Sequence, residues 1–118
     1  NMHHGLMLAR QLLSRENVAN KQVLMVTDGE PTVHMEGGRA FFSHPPSYRT
    51  LEQTLREVTR CTREGIVINT FMLEANYFLK DFIDQMAKIN KGRAFYTNTD
   101  QLGKYVLVDY LSSRKVRI

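Results

Sequence analysis

The chain has 118 residues, 42% of them apolar, enough to bury one core with no length left for a second domain. Its formal charge is +4 and its isoelectric point is near 9.4, but the basic residues are scattered and only Arg114, Lys115 and Arg117 bunch together. Scattered charge without interleaved aromatics argues against a nucleic-acid surface, and no apolar run approaches the ~20 residues of a membrane-spanning helix.

Leu6, Ala9, Leu12 and Leu13 recur at helical spacing, so a first helix is expected from about Met2 to Arg15. Val23 to Val26 follow without alternation, the pattern of a strand covered on both faces, and Thr27, Asp28 and Gly29 end it. Pro31, Gly37, Gly38, Pro45 and Pro46 then break the chain into a long loop, within which Val33–Met35 and Ala40–Phe42 flank a hairpin turn at Glu36, Gly37 and Gly38. The next helix is predicted from Tyr48 to Glu64, capped by Ser47 or Thr50 and stopped by Gly65, with Leu51, Leu55, Val58 and Cys61 facing the core. Cys61 is the single cysteine, which excludes a disulfide within the chain and points to a buried thiol in a reduced, cytoplasmic setting. Ile66 to Met72 make a strand, and Phe78, Phe82, Ile83, Met86 and Ile89 a helix ended by Gly92. Ala94 to Tyr96 make a short strand, and Thr99 caps a last helix through Leu111.

This alternation predicts an α/β fold, an open, doubly wound parallel sheet with helices on both faces. The helices after the first two strands are expected on one face, and the first and last helices on the other. A strand as apolar as Val23–Val26 belongs inside a sheet, so residues 1–118 read as the C-terminal part of a larger domain lacking its first strands, and the isolated chain is expected to self-associate through the exposed edge.

Ligands of open parallel sheets bind at the carboxyl ends of the strands, here Thr27, Asp28, Gly29, Glu30, Pro31 and Thr32. An aspartate among hydroxyls suits Mg2+ or Mn2+, although Asp28-Gly29 is equally the composition of a plain turn. His3, His4, His34 and His44 lack zinc-site spacing and are expected to be exposed or to cap helices. Arg39, Phe41, Phe42 and Tyr48 have the composition of a protein-binding hot spot, the alternative being that the two phenylalanines fold back on the domain. Asp81 with Asp84, and Glu52 with Glu57, read as solvated charges on polar helix faces. Neither a dinucleotide glycine motif nor a phosphate loop occurs, and no serine sits on a strand-to-helix elbow.

The run Val-Leu-Met-Val-Thr-Asp-Gly-Glu-Pro-Thr from Val23 to Thr32 resembles the fourth-strand motif of von Willebrand factor type A domains, with Asp28 at the place of the metal-site aspartate. Asn1–Leu13, with Gly5 and Leu6, is similar to the helix after that family's metal-binding threonine, and Ile68–Leu73, Phe78–Ile89, Gly92–Tyr96 and Asp100–Tyr110 to its last strands and helices. The resemblance spans the chain and is closest to the bacterial, intracellular branch, with relatives of the magnesium-chelatase D subunit and partners of MoxR-type AAA+ ATPases.

It implies a metal-ion-dependent protein-binding module without catalytic residues, with an AAA+ ATPase as a partner. Asp28 would ligate Mg2+ or Mn2+, Thr27, Gly29 and Glu30 would shape the loop, and His3 and His4 would line the binding surface. The family's Asp-x-Ser-x-Ser motif has no counterpart here, and its threonine would fall one position before Asn1. Metal binding by this segment alone is therefore expected to be weak. The alternative is a Rossmann-like, divalent-metal-dependent phosphoryl-transfer enzyme.

Overall fold

A computed structural model describes residues 1–27, 31–73, 77–96, 101, 103–104 and 110–111. In chain order the elements are α1 (Met2–Ser14), β1 (Lys21–Thr27), β2 (Val33–Glu36), β3 (Arg39–Phe42), α2 (Tyr48–Arg63), β4 (Ile66–Met72), α3 (Tyr77–Asn90) and β5 (Ala94–Tyr96). Asp28, Gly29 and Glu30 lie outside the described residues, as do Thr99, Asp100 and the basic cluster of Arg114, Lys115 and Arg117. The expected last helix is described only at 103–104 and 110–111, which are helical.

Local chemistry accounts for the element ends. The Asn1 side chain accepts a hydrogen bond from the His4 amide at 3.0 Å, and the Ser47 hydroxyl accepts one from the Thr50 amide at 3.1 Å, so each helix start has an orphan donor satisfied. Gly37 and Gly38 have φ of 56° and 77°, the left-handed pair that lets a two-residue turn follow the twist of β2 and β3. At the end of α3 the left-handed residue is Lys91, φ 62°, and not Gly92. Gly92 is needed for a different reason: a Cβ there would lie 1.8 Å from the Ile68 carbonyl oxygen.

β1 and β4 pair in parallel from Lys21↔Ile66 to Thr27↔Met72, and β4 pairs with β5 from Thr70↔Ala94 to Met72↔Tyr96. The order is β1-β4-β5, a parallel three-stranded sheet flanked by helices, as the alternation of elements predicts. β4 is the central strand, and β1 is an edge among the described strands, as its single sequential neighbour leads one to expect. Val23 and Met25 turn toward the core, whereas Leu24 and Val26 are 38% and 46% exposed. The second face of this apolar strand is thus partly exposed.

The placement of α1 also differs from expectation. Leu6 of α1 shares one cluster with Val58 and Cys61 of α2, with Leu79, Phe82, Ile83 and Met86 of α3, and with Ile66, Ile68 and Met72 of β4. α1, α2 and α3 therefore cover the same face of the sheet. Right-handed connections taken in one direction across a sheet keep their helices on one side, and α1, feeding β1 from its open edge, continues that sense. On the other face Phe71 is fully buried and stacks on Phe95, ring centres 5.1 Å apart. No helix among the described residues is long and apolar enough to cross a membrane.

Candidate functional site

A cavity of about 460 Å³ opens beside β1, lined along its length by Val23–Thr27, on one side by Asn1, Met2, Gly5 and Leu6 of α1, and at the carboxyl end by Pro31 and Thr32. Two anchors hold this end in place. The Leu73 amide donates to the Thr27 carbonyl at 2.9 Å, and the Ser43 amide donates to the Thr32 carbonyl at 2.9 Å, closing the hairpin one step beyond the Val33↔Phe42 pair. Residues 28–30 span the short interval between these tethered ends. Among the described lining residues, Thr27, Thr32 and Asn1 give side-chain oxygen donors and none is a thiol or imidazole, a donor chemistry that fits a hard cation. Asp28, the expected metal ligand, and its expected neighbours Gly29 and Glu30 belong to the interval outside the described residues. Among the described residues no three His, Cys, Asp or Glu side chains gather closely enough to hold a metal ion.

The hairpin carries the other residues singled out in the sequence. Arg39 is exposed, Phe41 is half-exposed and stacks on His34 with ring centres 5.4 Å apart, and Phe42 is 72% exposed. Phe41 thus folds partly back on the domain, whereas Phe42 does not. A second, shallower concavity of about 330 Å³ lies between this face and the start of α2, with Glu36, Arg49 and Ser47 on its walls. The Arg49 guanidinium beside Glu36 holds that carboxyl below its usual range.

Two of the four histidines are core residues, against expectation. His3 is 2% and His34 4% exposed, so His3 does not line an outer binding surface. The His3 Nδ1 accepts the Met35 amide at 3.0 Å, tying β2 to α1. His34 bridges Thr50 Oγ1 at 2.8 Å and Glu36 Oε1 at 3.1 Å, tying β2 to the cap of α2. His4 is partly exposed and His44 exposed. The signal for His3 was present, since it shares the i, i+3, i+10 stripe of Leu6 and Leu13. His34 had no comparable signal, because β2 is too short to show alternation.

Glu57 also departs from its reading as a solvated charge: it is fully buried, hydrogen-bonded to Arg10 of α1 and, at 3.0 Å, to Arg60. Asp81 and Asp84 are exposed, and Glu52 is partly buried and pairs with Arg56 at 2.8 Å. Burial, reinforced by the Glu57 carboxylate, pushes the Cys61 thiol up to about 11, so it stays protonated at neutral pH.

A parallel α/β sheet flanked by helices is consistent with the architecture of the von Willebrand factor A domains. The family model for the von Willebrand factor A domain of Rv0959-like proteins matches residues 1–111, and the chain belongs to this family. It is 41% identical over 120 residues to uncharacterized protein Rv0959 of Mycobacterium tuberculosis and, equally, to uncharacterized protein Mb0984 of Mycobacterium bovis. These alignments cover 98% of this chain and 18% of each relative, so the chain spans less than a fifth of their length. Domains of this family generally mediate protein interactions.

Proposed function

We propose that the chain is a protein-binding module, not an enzyme, whose hold on its partner depends on Mg2+ or Mn2+ bound at Asp28. The supporting observation is that the cavity along β1 reaches the strand's carboxyl end, where Thr27 and Thr32 bring oxygen donors to both sides of the interval containing Asp28. From the sequence resemblance, Gly29 would help shape the loop and Glu30 would act as a neighbour of the ligand. A bound divalent cation would offer a coordination position to a carboxylate of the partner. Ion and partner affinities are then linked, each strengthening the other by the same factor.

Arg39, Phe41 and Phe42 stand on the hairpin that continues from the same loop, and in this reading they select the partner through apolar and charged contact. His4, half-buried at the start of α1, is the remaining rim candidate. The partner class proposed is an AAA+ ATPase, which rests on the sequence resemblance alone, as does placement in the magnesium-chelatase-like branch. The test is capture of purified candidate AAA+ proteins by the full-length protein, with and without chelator. Asp28→Ala should abolish capture and ion binding together, whereas Phe42→Ala should weaken capture about tenfold or more, the ~1.4 kcal/mol or above typical of a hot-spot aromatic, and leave ion affinity unchanged. Capture indifferent to both chelator and Asp28→Ala would refute the metal-dependent reading.

A further inference from the structure

The β2–β3 hairpin has two outer edges, and only one of them is closed. The Ser43 amide donates to the Thr32 carbonyl, which sets the ladder: at Thr32 and Ser43, His34 and Phe41, and Glu36 and Arg39 the backbone groups face the opposite strand. The N–H and C=O of the residues between these point outward. On β2 the outward amide of Met35 is used, donating to the His3 Nδ1 at 3.0 Å. On β3 the outward groups belong to Ala40 and Phe42, and among the described residues none of them has a hydrogen-bond partner. All four residues of β3 are exposed, so this edge is open to approach.

We propose that the β3 edge is a docking site for an extended acidic peptide, which adds a third strand to the hairpin by pairing with Ala40 and Phe42 and sets a carboxylate beside Arg39.

The side chains along the edge define what such a peptide carries. Arg39 and Phe41 alternate onto one face of the hairpin, and Phe42 onto the other. Glu36, opposite Arg39 in the ladder, is already held by Arg49 and His34, and no carboxylate among the described residues pairs with Arg39. An acidic residue in the added strand would meet that guanidinium as a cross-strand neighbour, where opposite charges attract and like charges repel. Two positions along, an apolar residue would lie beside Phe41, whose neighbour on β2 is the stacked His34 ring. A second copy of this chain is the poorer occupant, since it carries a formal charge of +4 and its own β3 would bring an arginine in place of a carboxylate. In strand addition the backbone supplies affinity and alternate side chains supply selectivity. The proposal thus gives a partner class to the selecting hairpin, and to that extent rests on the function proposed above.

The test uses the full chain in the presence of chelator, so its failure and the failure of the Asp28 reading are separable. The probe is the synthetic peptide Thr-Glu-Thr-Leu-Thr-Glu-Thr, which reads the same in both directions and fits either strand orientation, with its lysine counterpart Thr-Lys-Thr-Leu-Thr-Lys-Thr as control. Amide hydrogen exchange is followed by NMR. With peptide at ~ten times its Kd, protection of the Ala40 and Phe42 amides should rise about tenfold, by one plus the ratio of peptide concentration to Kd, while β4 amides stay unchanged. The glutamate peptide should bind at least ~fivefold more tightly than the lysine peptide, and Arg39→Ser should erase that preference. Equal affinity of the two peptides, a preference that persists in Arg39→Ser, or unchanged Ala40 and Phe42 exchange at millimolar peptide would overturn the proposal. Protection of these two amides that grows with protein concentration in the absence of peptide would also overturn it, by assigning the edge to a second copy.

Discussion

Glu57 sits on α2 with its carboxylate removed from water and its two oxygens taken by Arg10, from α1, and Arg60, one turn further along its own helix. Arg10 reaches on to Glu64 at 3.3 Å, so one guanidinium joins α1 to two turns of α2. A buried ion pair adds little over an apolar pair of the same shape, but removing one partner leaves an uncompensated charge. Arg10→Ala is therefore expected to lower unfolding free energy by about 3 kcal/mol, the low end for breaking a buried pair because Arg60 remains. Arg60→Ala, at the half-exposed end, should cost less than about 1 kcal/mol. Urea denaturation of both variants checks the ranking, and an Arg10 variant as stable as wild type would contradict it. The sequence alone made Glu57 look like a surface charge because its partner lies 47 positions away. Residues 50, 53, 54, 57, 58 and 61 do form a helical stripe, but four of the six are polar, so composition masked the periodicity.

At the level of elements, the order and type of every described helix and strand could be read from apolar periodicity and from punctuation by Gly, Pro, Ser and Asn, including the small hairpin at Gly37-Gly38. What could not be read was how the elements lean on one another. Leu51 and Leu55 pack only at the margin of the core, because α2 is wedged between α1, the hairpin and α3 and must bury a second, polar stripe. Thr54 satisfies that stripe by donating to the Thr50 carbonyl at 2.8 Å. The end of α3 locks β4 in the same way: Asn90 accepts from the Ile68 amide at 2.7 Å and donates to the Ile66 carbonyl at 2.8 Å. Gly92 passes against the same strand, and its missing side chain is what allows the contact. Gly92→Ala should therefore destabilise by about 3 kcal/mol or more, at the upper end for overpacking because the opposing atom is backbone and cannot turn aside. Thermal melting of the variant at or near the wild-type temperature would show that β4 and the α3–β5 turn can separate at little cost.

For the whole molecule, the class of fold followed from the alternation of helices and strands, the family from the Val23–Thr32 run, and the exposed edge of β1 from its having a sequential strand neighbour on one side alone, whereas the gathering of α1 with α2 and α3 on one face could not be read. Asp28 as the metal ligand rests on its motif and on the rule that open sheets bind ligands at their carboxyl edge, and it lies outside the described residues. The neighbourhood of that edge, where α1 and the neck of the hairpin enclose a cavity with Thr27, depends on contacts between residues far apart in the chain and left no local trace. The measurement that tests the central claim most directly is titration of the chain with Mn2+, followed by paramagnetic broadening of its amide signals, a readout that works even for weak binding. Broadening is expected to centre on Thr27, Thr32 and Asn1 and to vanish in Asp28→Ala. Broadening centred instead on the hairpin carboxylate Glu36, or undiminished in Asp28→Ala, would contradict a metal site at the carboxyl end of β1.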